Sequence, residues 1–239
     1  MRKLVIIPTY NECENISRMV SKVMSLEGEF DILVVDDGSP DGTSDIVRKL
    51  QDEFFGRLHL VERSGKLGLG TAYIAGFKYA LERGYDYIFE MDCDFSHNPD
   101  DLIRLAAMLD DGCDVAVGSR YVSGVNVVNW PLSRLLMSYF ASKYVRGVTR
   151  MPVNDTTAGF VAYKRAVLEA IDLDKVRMIG YGFQIEMKYT AWRLGFKIGE
   201  LSIIFVDRVA GTSKMSGGIF GEAFFGVLKL PFRRFSRKG

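Results

Sequence analysis

Two hydrophobic rhythms alternate through the first half of the chain. Short apolar runs at Lys3 to Ile7, Asp31 to Val35, Leu58 to Glu62, Tyr87 to Met91 and Asp114 to Val117 read as strands, each bounded by turn-forming residues. Between them, Glu14 to Ser25, Thr43 to Phe54, Thr71 to Arg83 and Asp100 to Leu109 carry apolar positions at the spacing of an amphipathic helix. Strands separated by helices of this length predict βαβ units: an α/β fold, Rossmann-like, with a mostly parallel central sheet and helices on both faces. After Gly118 the rhythm changes. Pro131 to Val148 is amphipathic, with Leu135, Leu136, Tyr139, Phe140 and Tyr144 set against Arg134, Lys143 and Arg146. Ala158 to Tyr163 and Lys197 to Val206 read as further strands, Gln184 to Arg193 as a helix, and Ile219 to Leu228 as an apolar helix.

The chemistry lies where the apolar runs end. Tyr87 to Met91 closes on Asp92-Cys93-Asp94. On an extended chain, residues i and i+2 point to the same side, so both carboxylates can meet one hard cation. In open α/β sheets the carboxyl ends of the strands are where ligands bind. Magnesium or manganese held in this way keeps waters and completes its shell with substrate phosphates. The expectation is an enzyme acting on a diphosphate compound.

Pro8-Thr9-Tyr10-Asn11-Glu12 ends the first strand, where Pro8 is expected to stop the ladder, Tyr10 to offer a flat face to a base and Glu12 to accept hydrogen bonds. Val35-Asp36-Asp37-Gly38-Ser39-Pro40-Asp41-Gly42-Thr43 ends the second, with Asp36 and Asp37 expected to face Asp92 and Asp94. Gly65-Lys66-Leu67-Gly68-Leu69-Gly70-Thr71 matches neither the P-loop nor the G-x-G-x-x-G pattern and reads mainly as a helix entry, with Lys66 a candidate contact. The missing G-x-G-x-x-G also argues against half of an NAD-binding dehydrogenase. A dehalogenase-type phosphatase would need Asp-x-Asp on its first strand rather than its fourth.

Composition narrows the partners. With 239 residues, 48% of them hydrophobic, the chain can bury a full core as one α/β domain. A net charge of +1 gives no basic field directed at nucleic acid, although seven basic residues face one acid from Arg208 onward. Cys13, Cys93 and Cys113 lack metal or disulfide spacing and suit a reducing compartment. The apolar run Leu4 to Ile7 is too short for a signal-peptide core, and no stretch approaches the ~18 apolar residues of a membrane span.

Taken in order, Pro8 to Glu12, Val35 to Thr43, Asp92-Cys93-Asp94 and Gly118-Ser119-Arg120-Tyr121 resemble family 2 glycosyltransferases of the GT-A fold. Gly68 to Tyr73, Asn129-Trp130-Pro131, Phe183 to Met187, and Phe205 to Arg208 followed by Ser213-Lys214 are similar to the polyprenyl-phosphate (dolichyl-phosphate) mannose synthase branch of that family. Two residues depart from its pattern. Cys93 stands where Ala is common, and Ser96 stands where some members place a Gln that helps hold the metal. The carboxy-terminal membrane helices of some members are missing.

This resemblance implies one GT-A domain over 1–239, with a nucleotide- and metal-binding half of about 1–120 and an acceptor and membrane-interface half of about 121–239. Pro8, Tyr10, Glu12, Val35 and Asp37 would line the nucleoside site. Asp92 and Asp94 would hold Mg²⁺ or Mn²⁺ on the donor diphosphate, with the Cys93 backbone nearby. Arg208 and Lys214 would close over that diphosphate. Arg120, Arg134 and Ser138 would take the phosphate of the acceptor, and Asp155 and Glu186 would orient the sugar. The catalytic set would be Asp94, Arg120, Arg134 and Asp155. The implied donor is GDP-mannose and the implied acceptor a polyprenyl phosphate, used at the cytoplasmic face of a membrane or beside a membrane-anchored partner. A UDP-sugar transferase acting on undecaprenyl phosphate and a non-catalytic nucleotide-sugar-binding subunit are the competing readings.

Overall fold

The five apolar runs of the first half form parallel strands of one sheet in the computed structural model, which describes residues 1–178, 180–207, 218–233 and 237. β1 (Lys3–Thr9), β2 (Phe30–Asp36), β3 (Leu58–Glu62), β4 (Tyr87–Glu90) and β5 (Val115–Ser119) alternate with α1 (Ile16–Met24), α2 (Thr43–Glu53), α3 (Leu69–Glu82) and α4 (Asp101–Asp110). The second half adds β6 (Val127–Val128), α5 (Leu132–Thr149), β7 (Val161–Lys164), α6 (Arg165–Ala170), α7 (Tyr181–Arg193), β8 (Ile198–Ser202), β9 (Phe205–Val206) and α8 (Gly218–Lys229). The seven-stranded sheet runs β3-β2-β1-β4-β7-β5-β8, and β6 pairs with β9 in a small separate ribbon.

Strand alternation builds a core on each face. Val5 and Ile7 of β1 pack with α1, α2 and α4, whereas Leu4 and Ile6 pack with α3, α6 and α7. A third cluster ties α5 to α7 and α8 through Val145, Ile185, Tyr189 and Val227.

Two features of this frame position the site. The chain steps outward from β1 to β2 and β3, then returns to the other side of β1 as β4, and the crevice at such a reversal is the ligand edge of an open α/β sheet. β7 lies antiparallel between β4 and β5, with Val161 opposite Glu90 on one side and Val117 on the other. It therefore begins at the edge where β4 and β5 end, and the loop leading into it enters the site.

Pro8, expected to end β1, sits inside it opposite Val35, and the strand continues to Thr9. The Thr9 carbonyl accepts the Asp37 N–H on the β2 side, so Pro8 faces β4 beyond their last pair, Ile6 with Glu90. Its missing N–H costs the ladder nothing there.

The boundaries in the second half also moved. The strand expected at Lys197 to Val206 is two, broken at Ile203-Ile204, and the short β6 and six-residue α6 carry too little periodicity to be read from sequence.

Close packing of α3 on β1 is testable at Gly76, where an added Cβ would lie 2.7 Å from Cγ2 of the fully buried Ile6. Gly76→Val is expected to destabilise the fold by about 1–3 kcal/mol through overpacking. Denaturant unfolding should show a lowered midpoint with an unchanged slope.

Candidate active site

The first corner of the site is two loops laced together. Beyond β1, Asn11 takes a left-handed φ of 57°. The N–H groups of Asn11, Glu12 and Cys13 donate to Ser39 Oγ, Thr43 Oγ1 and Asp41 Oδ2 of the loop after β2. Asp36, expected at the ligand edge, is instead fully buried and holds this loop. It accepts from the Thr9, Ser39 and Ser44 hydroxyls and from the Ser39 N–H. Burial pushes its carboxyl up, but these hydrogen bonds outweigh it and leave the pKa below the usual range. Since β1 lies between β2 and β4, Asp36 does not meet Asp92 or Asp94 across a shared strand pair.

Asp37 is held by Arg63, whose Nε donates to Oδ1 at 2.6 Å while Nη1 reaches Thr71 Oγ1 and Nη2 the Gly68 carbonyl. Arg63 was not singled out in the sequence, where an arginine two residues before a glycine-rich turn carries no signal of its own. Tyr10 is half-buried, and the Lys66 ammonium lies 5.2 Å from its ring centroid. Val35 has its side chain in the α3-facing core, so only its backbone is available to a nucleoside.

The acidic motif comes from a loop, since β4 ends at Glu90. Asp94 Oδ1 accepts the Ser96 N–H, and Phe95 takes a φ of 59°, which curls the chain immediately past the second carboxylate. Cys93 directs its side chain into the core on the α1 and α4 face, leaving only its backbone at the site. Behind this loop lies His97, fully enclosed, stacked on Phe160 at 4.9 Å and edge-on to Phe205. Its Nδ1 accepts the Asp92 backbone N–H at 3.2 Å, so the lone pair is on Nδ1 and the proton of the neutral ring on Nε2. Burial, the largest effect, pushes its pKa down to about 4. A neutral ring cannot ion-pair with Asp92, whose Oδ2 lies 4.0 Å away.

The third corner is cationic. Arg120, at the end of β5, donates to Asp155 from its backbone N–H, Nε and Nη2 at 2.9, 2.6 and 2.6 Å. Asp155 is fully buried, and the backbone N–H groups of Asn154 and Asp155 bond the two oxygens of Glu200 on β8. Arg134, from the first turn of α5, pairs with Asp207 at 2.8 Å and lies 4.1 Å from the Trp130 ring centroid. Ser138 accepts the Tyr121 hydroxyl at 2.8 Å. Phe205, edge-on to His97 at 5.4 Å, also lies 5.6 Å from the Arg120 guanidinium, so one ring joins the histidine behind the acidic loop to the arginine corner. Glu186 lies elsewhere, accepting the Arg177 and Met178 N–H groups and pairing with Arg233 at the start of α7. Arg208 and Lys214 lie outside the described residues.

A mostly parallel sheet with an acidic loop at its β1–β4 crevice and Arg120 two strands away has the architecture of the GT-A fold. The chain belongs to glycosyl transferase family 2, whose model matches residues 4–172, and it is an enzyme of that class. It is 47% identical over 97% of its length to a polyprenol monophosphomannose synthase from Mycolicibacterium smegmatis, of which it covers 88%. It is 47% identical over 96% of its length to an undecaprenyl-phosphate mannosyltransferase from Micrococcus luteus, of which it covers 93%. Its fold is similar to a crystal structure of glucosyl-3-phosphoglycerate synthase from Mycobacterium tuberculosis in complex with Mn²⁺, uridine diphosphate and glucosyl-3-phosphoglycerate. That similarity has a TM-score of 0.67 and 18% identity, covering 97% of this chain and 79% of the other.

The donor set fits a hard divalent cation. Beside the carboxylates of Asp92 and Asp94, Ser96 Oγ is buried with no hydrogen-bond partner among the described residues. No group of three His, Cys, Asp or Glu side chains that could hold a metal occurs among those residues. Two carboxylates completed by waters and phosphate oxygens suit magnesium or manganese, which take oxygen ligands and keep waters.

His97 gives the fold a pH dependence. Its folded pKa, about 4, lies below the ordinary 6.5, so the unfolded chain binds the extra proton between those values. Its contribution to stability is complete above pH 6.5 and is lost as the pH falls towards 4, to a total of about 3 kcal/mol. His97→Phe should flatten the fall in unfolding free energy between pH 6.5 and 4.5, measured in chelator by denaturant titration.

Proposed function

We propose that the protein transfers mannose from GDP-mannose to a polyprenyl monophosphate, with inversion at the anomeric carbon and with Mg²⁺ or Mn²⁺ on the donor diphosphate. The observation that carries this reading is the pairing, through His97 and Phe205, of a carboxylate loop with an arginine corner. The names of the two relatives, both 47% identical over nearly the whole chain, support mannose and a polyprenyl phosphate.

In this reading residues up to about 120 hold the donor and the rest of the single domain holds the acceptor. Tyr10, Glu12 and Asp37, with the backbone at Pro8, Val35 and Cys93, border the nucleoside. Asp92 and Asp94 hold the cation, with Arg208 and Lys214 assigned to the same diphosphate. A cation bound there would neutralise charge growing on the leaving diphosphate.

Arg120, Arg134 and Ser138 bind the acceptor phosphate, since charged guanidinium N–H groups make strong hydrogen bonds to phosphate oxygens. Asp155 keeps Arg120 aimed while the anion enters. A phosphate oxygen then attacks the anomeric carbon from the face opposite the leaving diphosphate, and the bond to that diphosphate breaks as the new one forms. A phosphate monoester has its second pKa near 6 and is already dianionic at neutral pH, so no general base is required. The burial of His97 and its acceptance of the Asp92 N–H agree with that.

An acceptor with a long apolar tail requires work at a bilayer. Among the described residues no helix is long and apolar enough to cross a membrane. α5 and α8 instead present an apolar surface: Leu132, Leu136, Met137 and Phe140 on one, Phe224, Phe225 and Leu228 on the other, joined by Tyr144 stacked 4.7 Å from Phe224. Phe140 and Phe225 are 62% and 63% exposed. Such a face flanked by Lys143 and Lys229 suits peripheral attachment to the cytoplasmic leaflet.

The test is transfer of labelled sugar from GDP-mannose, UDP-glucose and UDP-N-acetylglucosamine to a short polyprenyl phosphate, with Mg²⁺ and with chelator. Chelator-sensitive label from GDP-mannose alone is expected. Label from a UDP-sugar would overturn the donor, and turnover unaffected by chelator would overturn the metal. Asp94→Asn should lower turnover by roughly 100-fold or more, the scale of a lost electrostatic contact at a transition state, while the circular dichroism spectrum stays that of the native protein.

A further inference from the structure

Trp130 stands at the centre of the arginine corner, in the segment between β6 and α5. Its ring is edge-on to Phe205 of β9, with centroids 5.3 Å apart and planes at 75°. The guanidinium carbons of Arg120 and Arg134 lie 5.4 and 4.1 Å from the ring centroid. One indole therefore bridges two cations, one from the end of β5 and the other from the first turn of α5. Each arginine also has its own carboxylate, Asp155 or Asp207. Two guanidinium groups brought together repel, and an aromatic ring between their anchors offsets part of that repulsion through its negative π-density.

The ring's polar atom has no such provision. Trp130 Nε1 is buried and has no hydrogen-bond partner among the described residues. An indole N–H can only donate, so the group that would satisfy it is an acceptor. Its surroundings select an anionic one. Pro131 is the N-cap of α5, an 18-residue helix with no side-chain cap, so the N–H end of its first turn and the positive end of the helix dipole adjoin the same indole.

We propose that the Trp130 indole N–H is a third ligand of the acceptor phosphate beside Arg120 and Arg134, and that its ring sets the separation of their guanidinium groups. This rests on the reading of Arg120 and Arg134 as phosphate ligands. It gives the phosphate a neutral donor as well as two charged ones. The neutral donor adds direction without adding the charge that would hold the nucleophilic oxygens too tightly to react.

The experiment uses the full-length protein labelled with ¹⁵N at the indole nitrogens. The chain has two tryptophans, so two indole cross-peaks are expected, and Trp192→Phe on α7 assigns them. Farnesyl phosphate should move the Trp130 indole proton downfield, whereas farnesol, which has the tail and no phosphate, should not. Trp130→Phe keeps the ring and loses the N–H. It should raise KM for farnesyl phosphate about tenfold or more, the scale of one hydrogen bond to a charged group, while KM for the sugar donor stays within about a factor of two. Trp130→Leu, which also loses the ring, should lower kcat as well.

Binding of farnesyl phosphate with a silent Trp130 signal, an unchanged acceptor KM in Trp130→Phe, or equal rises in both KM values would overturn the tryptophan's role. Wild-type protein that neither binds nor uses farnesyl phosphate would overturn the acceptor reading itself, and this inference with it. The indole signal is read on the wild-type chain, so the inference remains falsifiable if a substituted protein fails to fold.

Discussion

Asp155 accepts three hydrogen bonds from Arg120 at a point sealed from solvent, and Glu200 accepts the backbone N–H groups of Asn154 and Asp155 behind it. Burying either charge alone costs several kcal/mol, and removing one partner of such a pair destabilises by about 3–5 kcal/mol. Neither charge is tolerable there without the other. The pair joins three pieces of chain that share no covalent neighbourhood: the end of β5, the loop before β7 and, through Glu200, the strand β8. Arg120 is consequently a fixed cation, aimed before any ligand arrives. An exposed arginine would lose side-chain freedom on meeting its anion, and here that loss is taken during folding.

The same pair explains how the sheet's one antiparallel strand serves the site. β7 separates β4 from β5 and, running against both, begins at the ligand edge. Its leading loop carries Asp155 to Arg120 and Phe160 to His97. Neighbouring strands lie about 4.8 Å apart, so two steps hold β4, which leads into the acidic loop, about 10 Å from β5, which leads into Arg120. That is room for a hexose between two phosphates. A parallel strand in that position would begin at the opposite edge and could not deliver Asp155.

The local half of this design is legible in the sequence. Strands β1 to β5 and helices α1 to α4 follow from hydrophobic period, since each is a run whose burial pattern depends on its nearest neighbours in the chain. Asp92 and Asp94 stand out for the same reason. The place of β7 does not: its residues pair with strands about 75 and 45 positions away, and no periodicity encodes that choice. Side chains whose task is set by distant partners were hidden in the same way. Asp36 reads as a ligand-edge acid and is a loop anchor, because Thr9 and Ser44 converge on it. Arg63 carries no sequence signal and holds Asp37. Trp130 reads as a family mark without a task, since Arg120, Arg134 and Phe205 meet it only in the fold. The resemblance to a known family supplied Arg120 and Arg134, which spacing alone would have left as two arginines among many.

One further buried arrangement shows how the two corners are kept in register. Lys188 Nζ, on α7, donates to the Ala158 carbonyl at 2.7 Å and to Gln184 Oε1 at 3.3 Å, and Gln184 Nε2 donates to Glu90 Oε2. Ala158 belongs to the loop that carries Asp155, and Glu90 closes the strand before Asp92. Burial pushes Glu90 up to about 8 and Lys188 down to about 8, each opposed by the charge of the other. Gln184 bridges the two groups, so each is held in place by directional bonds beneath the site. An apolar core of equal volume would pack as well and cost less to bury. It would not bind the β4 end and the Asp155 loop to one helix by directional bonds, and that fixed relation is what two substrates aligned for in-line transfer require.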